Sequence, residues 1–530
     1  MLMEQVASDS TLSPVPPNEP LLIRARRQLA ILGLFFAAIV GIYSSALFLH
    51  YGFNDDYGLL LQGVFYPPQI HMTYAAQGRP LSGWPVEYAY SHMKNLDHLW
   101  EMRLVSMGGL SFAAWALCGV LRHVGWDLLI SICVAIMACT VPATQVYATW
   151  AIFFPNPYGV VAAIMAGWLA GWILDGARWR YLLTPIAAML LVTSLITYQP
   201  AGMVFVPIML LFVFSPPRRD DSLKLKIGRL AFFQAINAAA LLGGYLTLRL
   251  GLHIYPRSAS IGRTGITPAL LHKPAWFVNG PLREAMNLWN LPPIPIVAWT
   301  VGGVLAIGLF LYFSGDWRNR LLLLVICALA IPLAYVPNLL AEDADAYRTH
   351  IGMSWTLLVL GLFAFTSFWQ SAWKLWQITL AFLHRPRQPG GIAPAIPGGF
   401  LILAAAAAAF SAAYTSTVYL TWPHAVELAD LRMQMAKPNV AAADHLIFLQ
   451  IMNWNDTAAP HWLSDDFGCP SIANDLEWEP QGAAYMIRRE ANRNAAIPDV
   501  QMIPFYQSVY SQPLPPDTAL IDMRHLSASK

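Results

Sequence analysis

About eleven apolar runs, each near the length at which a helix crosses a membrane, divide this chain. They lie at 29–49, 104–121, 127–146, 158–174, 181–198, 201–214, 230–252, 293–313, 320–340, 350–372 and 398–419, with 201–214 the shortest. A helix needs ~20 apolar residues to cross ~30 Å of hydrocarbon. There the backbone has no water to bond, so such runs read as helices whose hydrogen bonds are internal. Composition agrees. Charged residues make up 12% of the chain and mean hydropathy is +0.47, against ~25% charged in soluble domains. The expected fold is an all-α polytopic membrane protein. Residues 1–28 form its cytoplasmic tail, 29–419 its membrane module, and 420–530 a small outer domain read as α/β.

Charge sets the expected orientation. Arg24, Arg26 and Arg27 precede the first run, which is long enough to be retained as a span. With that end inside, Arg122, Arg178 and Arg180, the cluster from Arg218 to Arg229, Arg318 and Arg320, and Lys374, Arg385 and Arg387 all fall on the inner side. That is the positive-inside pattern. It places the C-terminus and the loops 50–103, 253–292 and 341–349 outside, in a bacterium the periplasm. The net charge of +2 gives no footing for nucleic acid. Cys118, Cys133, Cys139 and Cys327 sit in apolar runs and read as packing residues.

The outer loops hold the candidate chemistry. Loop 50–103 is far longer than the ~4–6 residues usual for a connection, and it opens with Phe53-Asn54-Asp55-Asp56-Tyr57. Solvated boundary charge is one reading of the acidic pair; a base held at the membrane surface is the other. Downstream lie His71, Tyr74 and Gly78-Arg79-Pro80. Arg79 suits either lipid headgroups or a substrate phosphate, whose oxygens match its planar fork. Val86, Tyr90, Met93, Leu96, Leu99 and Trp100 recur at helical spacing, either facing lipid or packing on neighbouring spans. Tyr198-Gln199 occupies a sharp outer turn. Glu342, Asp343, Asp345, Tyr347, Arg348 and His350 crowd the short loop before another span. Loop 253–292 mixes Arg257, Arg263, His272, Lys273 and Arg283 with aromatics, as a re-entrant segment or an interfacial belt. Asp465-Asp466 reads as a surface turn.

An acidic pair outside a first span, many further spans and a C-terminal outer domain together resemble the GT-C glycosyltransferases. Asn54-Asp55-Asp56-Tyr57, Gly78-Arg79-Pro80 and Tyr198-Gln199 are most similar to the membrane glucosyltransferases that modify O-antigen. The resemblance implies a polyprenyl-phosphate sugar donor, a glycan or other envelope acceptor, and inversion at the anomeric carbon. It implies Asp55 or Asp56 as base, and Arg79 and Arg348 as phosphate ligands. His71, Tyr198, Gln199, Glu342, Asp343, Asp345 and Tyr347 become substrate contacts. No cofactor is expected; a divalent ion between Asp55 and Asp343 is conceivable, but no spacing establishes it. An O-antigen ligase using loop 253–292 and a lipid or glycan transporter are the competing classes. A transporter calls for ionisable groups near mid-span, whereas here the acids gather at outer ends.

Overall fold

The computed structural model describes residues 21–177, 179–256, 270–289, 294–341, 346–382, 395–449, 466–467, 472, 478–492, 494–503 and 514–526. Among these, eight helices are at least 18 residues long and apolar enough to cross a membrane. The chain is a polytopic helical protein.

The other three apolar runs depart from a straight span, each for a local reason. The run at 127–146 forms Leu128–Ala138 and Pro142–Thr149, bent by 67°. Pro142 opens the second piece and holds Val141 extended, because proline has no N–H to continue the helix and disfavours a helical residue before it. The run at 201–214 becomes the turn Gln199–Gly202 and the helix Phe205–Phe214, whose ten residues are all buried by protein. The run at 320–340 forms Trp317–Leu333, capped by Asp316 accepting from the Asn319 N–H at 3.0 Å, and yields at Pro332 to the short Val336–Leu340.

The first helix spans Leu21–Ile42, starting well before the run at 29–49. Apolarity alone sets that run's start too late, since Arg24, Arg26 and Arg27 extend the helix, arginine being a good helix former.

Helix ends gather into two layers. In one, His123 lies 3.5 Å from Asp175, Arg218 pairs with Asp175 at 2.6 Å, the Tyr312 hydroxyl donates to the Phe214 carbonyl, and Arg219 donates to Gln370. In the other, the Ile152 N–H donates to Asp56, Ser82 to the Thr197 carbonyl, Tyr147 to the Arg348 carbonyl, and Thr417 to Ser45. Loop 50–103 and the C-terminal region meet in the second layer, where the Leu96 N–H donates to Glu490 and Arg432 pairs with Asp97.

Leu242, Leu246 and Leu250 on the long helix Leu223–Ile254 are exposed along one face, as lipid-facing residues would be. The last apolar helix passes through a π-helical stretch, Ser416–Thr421, into Trp422–Met435. That extension carries a three-stranded parallel sheet, ordered β2 (Asp499–Ile503), β1 (His445–Leu449), β3 (Thr518–Asp522). Gln434 fastens it, donating to the Asp522 carbonyl at 2.9 Å and accepting from the Asp522 N–H at 3.0 Å. Helix Trp478–Ala491 then packs on Asp55–Phe65. Only glycine fits at 482, where a Cβ would stand 2.2 Å from the Tyr57 carbonyl oxygen.

The stripe in loop 50–103 resolves in favour of packing. Val86, Tyr90, Met93, Leu96 and Leu99 are buried, and only Trp100 is exposed. The exposed face of helix Pro80–His92 carries Leu81, Trp84 and Tyr88 instead. A second correction concerns Asp466: it is fully buried, so it is no surface turn. The reason is tertiary, since its partner lies 118 residues away.

Candidate functional site in the outer layer

The two adjacent acids have opposite surroundings. Asn54 has a positive φ of 38°, uncommon for a residue other than glycine, and helix Asp55–Phe65 starts immediately after it. Both carboxylates fall in the first helical turn, where the helix dipole favours negative charge. Asp56 is fully buried. Its Oδ2 accepts from the Phe53 N–H at 3.0 Å, and its Oδ1 from the Ile152 N–H at 3.2 Å and from the Tyr90 hydroxyl. Burial pushes the Asp56 carboxyl up to about 6, with Arg103 and these hydrogen bonds opposing the shift. Asp55, one residue earlier, is exposed. Asp56 thus anchors the loop, and Asp55 is the acid presented to solvent.

Arg103 is the cation behind this arrangement, and the sequence reading passed over it. It is buried, lies 3.5 Å from the Tyr51 ring centroid, and donates to the Ala46 carbonyl at 3.2 Å and the Tyr51 carbonyl at 2.5 Å. Its one sequence signal is an arginine at the mouth of an apolar run. Tyr90, the hydroxyl on Asp56, gave none, since it reads as one more apolar residue of a helical stripe.

Arg79, Tyr198 and Gln199, 120 residues apart in sequence, form one cluster. Arg79 Nε donates to Gln199 Oε1 at 3.0 Å, and its guanidinium lies 4.7 Å from the Tyr198 ring centroid. Gln199 Nε2 donates in turn to the Gln77 carbonyl at 3.0 Å. Gly78 makes the turn possible: its φ is +75°, and a Cβ would lie 3.1 Å from Gln199 Nε2. Tyr74 joins this cluster to the acids. Burial pushes its hydroxyl up, Asp55 adds to the shift, and Arg79 opposes it. The carboxylate and the guanidinium therefore share one electrostatic neighbourhood around Tyr74.

Arg348 is held differently. Its Nη1 pairs with Asp466, its own N–H donates to the other Asp466 oxygen at 2.8 Å, and its guanidinium lies 5.4 Å from the Trp150 ring. The Tyr147 hydroxyl donates to the Arg348 carbonyl at 3.0 Å, and Tyr147 meets the Tyr198 ring edge-on at 5.9 Å. The Arg348 backbone is thus linked through Tyr147 to Tyr198, the ring on which Arg79 lies. Tyr347 is buried, edge-on to Phe467 at 5.1 Å and to His350 at 5.7 Å, where it packs the C-terminal residues onto the bundle. His71 pairs with Glu87 and stacks on Trp84 at 4.2 Å, bracing the two helices of the outer loop. Glu342, Asp343 and Asp345 lie outside the described residues, as do Arg257 and Arg263. Among the described residues no group of three or more His, Cys, Asp or Glu is placed to hold a metal ion. Cys118, Cys133, Cys139 and Cys327 are all buried thiols.

No protein-family model and no curated protein sequence matches the chain. Among solved structures it is similar to the crystal structure of the Archaeoglobus fulgidus oligosaccharyltransferase tethered with an acceptor peptide containing the NVT sequon. The identity is 14% and the TM-score 0.40, over 80% of this chain and 62% of that one. The chain thus spans less than two thirds of that structure, and the functional reading below rests on the site itself.

Proposed function

We propose that the chain is a GT-C-like membrane glycosyltransferase that moves a sugar, a hexose such as glucose, from a polyprenyl-phosphate donor to a glycan or other cell-envelope acceptor. In this reading the eleven apolar segments all cross the bacterial inner membrane. The arginine-rich layer lies in the cytoplasm, and the acidic loop and C-terminal domain lie in the periplasm. The observation that carries the proposal is Asp55, exposed at the start of a helix pinned by the buried Asp56, together with the Arg79–Tyr198–Gln199 cluster, Asp55 and Arg79 acting in opposite directions on the Tyr74 hydroxyl.

Each part then has a role. Asp55 accepts the proton of the acceptor hydroxyl as its oxygen attacks the anomeric carbon. The bond from that carbon to the phosphate oxygen breaks, and its electron pair leaves with the polyprenyl phosphate. Attack opposite the leaving group inverts the centre. Arg79 meets the growing phosphate charge through its two terminal nitrogens, its Nε being occupied by Gln199 and its face by Tyr198. Arg348 supplies a second cation, held by Asp466 over the Trp150 ring. Tyr198, Gln199, His71 and Tyr347 are assigned as substrate contacts, and the acidic residues Glu342, Asp343 and Asp345 to sugar or acceptor hydroxyls. The reading assigns no cofactor.

The test is sugar transfer from a polyprenyl-phosphate donor in detergent, comparing Asp55→Asn and Asp56→Asn. Loss of transfer by a normally folded Asp55→Asn protein supports the reading. Full activity in that variant removes the proposed base. Flux across sealed vesicles with no covalent product would point to a transporter instead.

A further inference from the structure

One contact of the C-terminal region with the membrane module is made by Asp466. Asp466 is buried, and both of its carboxylate oxygens are engaged by Arg348, one through the guanidinium and one through the backbone N–H. Phe467, next to it, is fully buried against Tyr347. A carboxylate so enclosed is costly unless paired, so the chain keeps an ion pair between segments 118 residues apart at a place where a phosphate is proposed to bind. The pair does more than cancel charge. Gripping the backbone and the side chain of one residue together leaves Arg348 little choice of rotamer. That choice sets its guanidinium over Trp150, while its backbone carbonyl accepts from Tyr147, whose ring meets the Tyr198 ring on which Arg79 lies.

Resting on the function proposed above, we propose that Asp466 is a positioning residue by which the C-terminal region completes the donor-phosphate site, holding Arg348 where it meets the lipid phosphate together with Arg79. The proposal assigns this contact to the phosphate, so its loss is expected to fall on the donor.

The experiment uses the full chain in detergent and the variants Asp466→Asn, Asp466→Glu, Arg348→Ala and the double variant Asp466→Asn/Arg348→Ala. Two readouts are taken: KM for donor and acceptor with kcat, and direct binding of a long-chain polyprenyl monophosphate that carries no sugar. Asp466→Asn is expected to raise the donor KM and the Kd for the polyprenyl phosphate about tenfold, leaving acceptor KM unchanged. The double variant is expected to be no worse than Arg348→Ala, because the two residues act as one unit, and Asp466→Glu should recover part of the loss. Unchanged phosphate binding in folded Asp466→Asn would overturn the proposal. So would additive losses in the double variant, or failure of both Asp466 variants to fold, which would assign the residue to stability alone. The binding readout stands apart from transfer. Polyprenyl phosphate bound in an Asp466-dependent way, without sugar transfer, would sink the glycosyltransferase reading and leave the positioning role intact.

Discussion

The two ends of the bundle handle charge in different ways. At the end rich in arginine, ion pairs lie near the surface: Arg218 with Asp175, whose side chain is 33% exposed, and Arg229 with Asp221, eight residues away. At the other end two carboxylates are buried and join distant parts of the chain. Asp56 and Asp466 are both 0% exposed, tied respectively to residues up to 96 and 118 positions away. Surface pairs contribute little, at ~0–1 kcal/mol. Buried ones are costly and persist where their partners are held in place. An end that carries buried, convergent charge is where chemistry is to be sought, and the contrast can be attacked by mutation at each end.

The largest effect belongs to Asp55. Asp55→Asn is expected to lower the transfer rate by ~10³-fold with melting temperature unchanged, since a general base contributes ~10²–10⁴; a kinetic assay with a parallel melt checks both halves. Next comes the pH dependence of stability. Asp56 titrates near 6 when folded and near 3.8 when unfolded, so the folded state binds the extra proton between those values. Its contribution is complete below the unfolded value and disappears as pH rises through about 6, a change of about 3 kcal/mol at ~1.4 kcal/mol per unit. Thermal melts from pH 4 to 7 should show that decline, and Asp56→Asn should flatten it.

Arg79→Ala is expected to reduce kcat/KM for the donor by ~10²-fold, in the range of a lost transition-state donor. Arg79→Lys should recover only a fraction, because an ammonium lacks the planar fork. Tyr90→Phe removes one hydrogen bond to the buried Asp56 carboxylate and should cost ~1–3 kcal/mol of stability with a smaller loss of rate. The smallest effect is at the opposite end. Arg218→Ala should change stability by less than ~1 kcal/mol and leave transfer intact. A large effect there, with none at Tyr90, would erase the distinction between the two ends.

Much of the architecture was open to reading because hydrophobic runs report burial and lipid contact directly. The apolar segments, the long outer loop and the acids at 55 and 56 all follow from composition along the chain. The division of labour between those acids did not, since adjacent aspartates look alike until Tyr90 and the Ile152 N–H close on one of them. Arg79 with Tyr198 and Gln199 were singled out one by one, but nothing local says that they touch across 120 residues. The helical stripe was visible at Val86, Tyr90 and Leu96, yet periodicity cannot tell a face packed on protein from one packed on lipid.

The sequence alone determined that this chain forms apolar helices with most of its charged residues in the segments between them, because the cost of placing polar groups in hydrocarbon acts on each segment separately. Only the tertiary structure decided which carboxylate is presented and which is locked, and that Asp466 grips Arg348. Those outcomes depend on pairings between distant segments, and a pairing energy exists only once both partners occupy the same place.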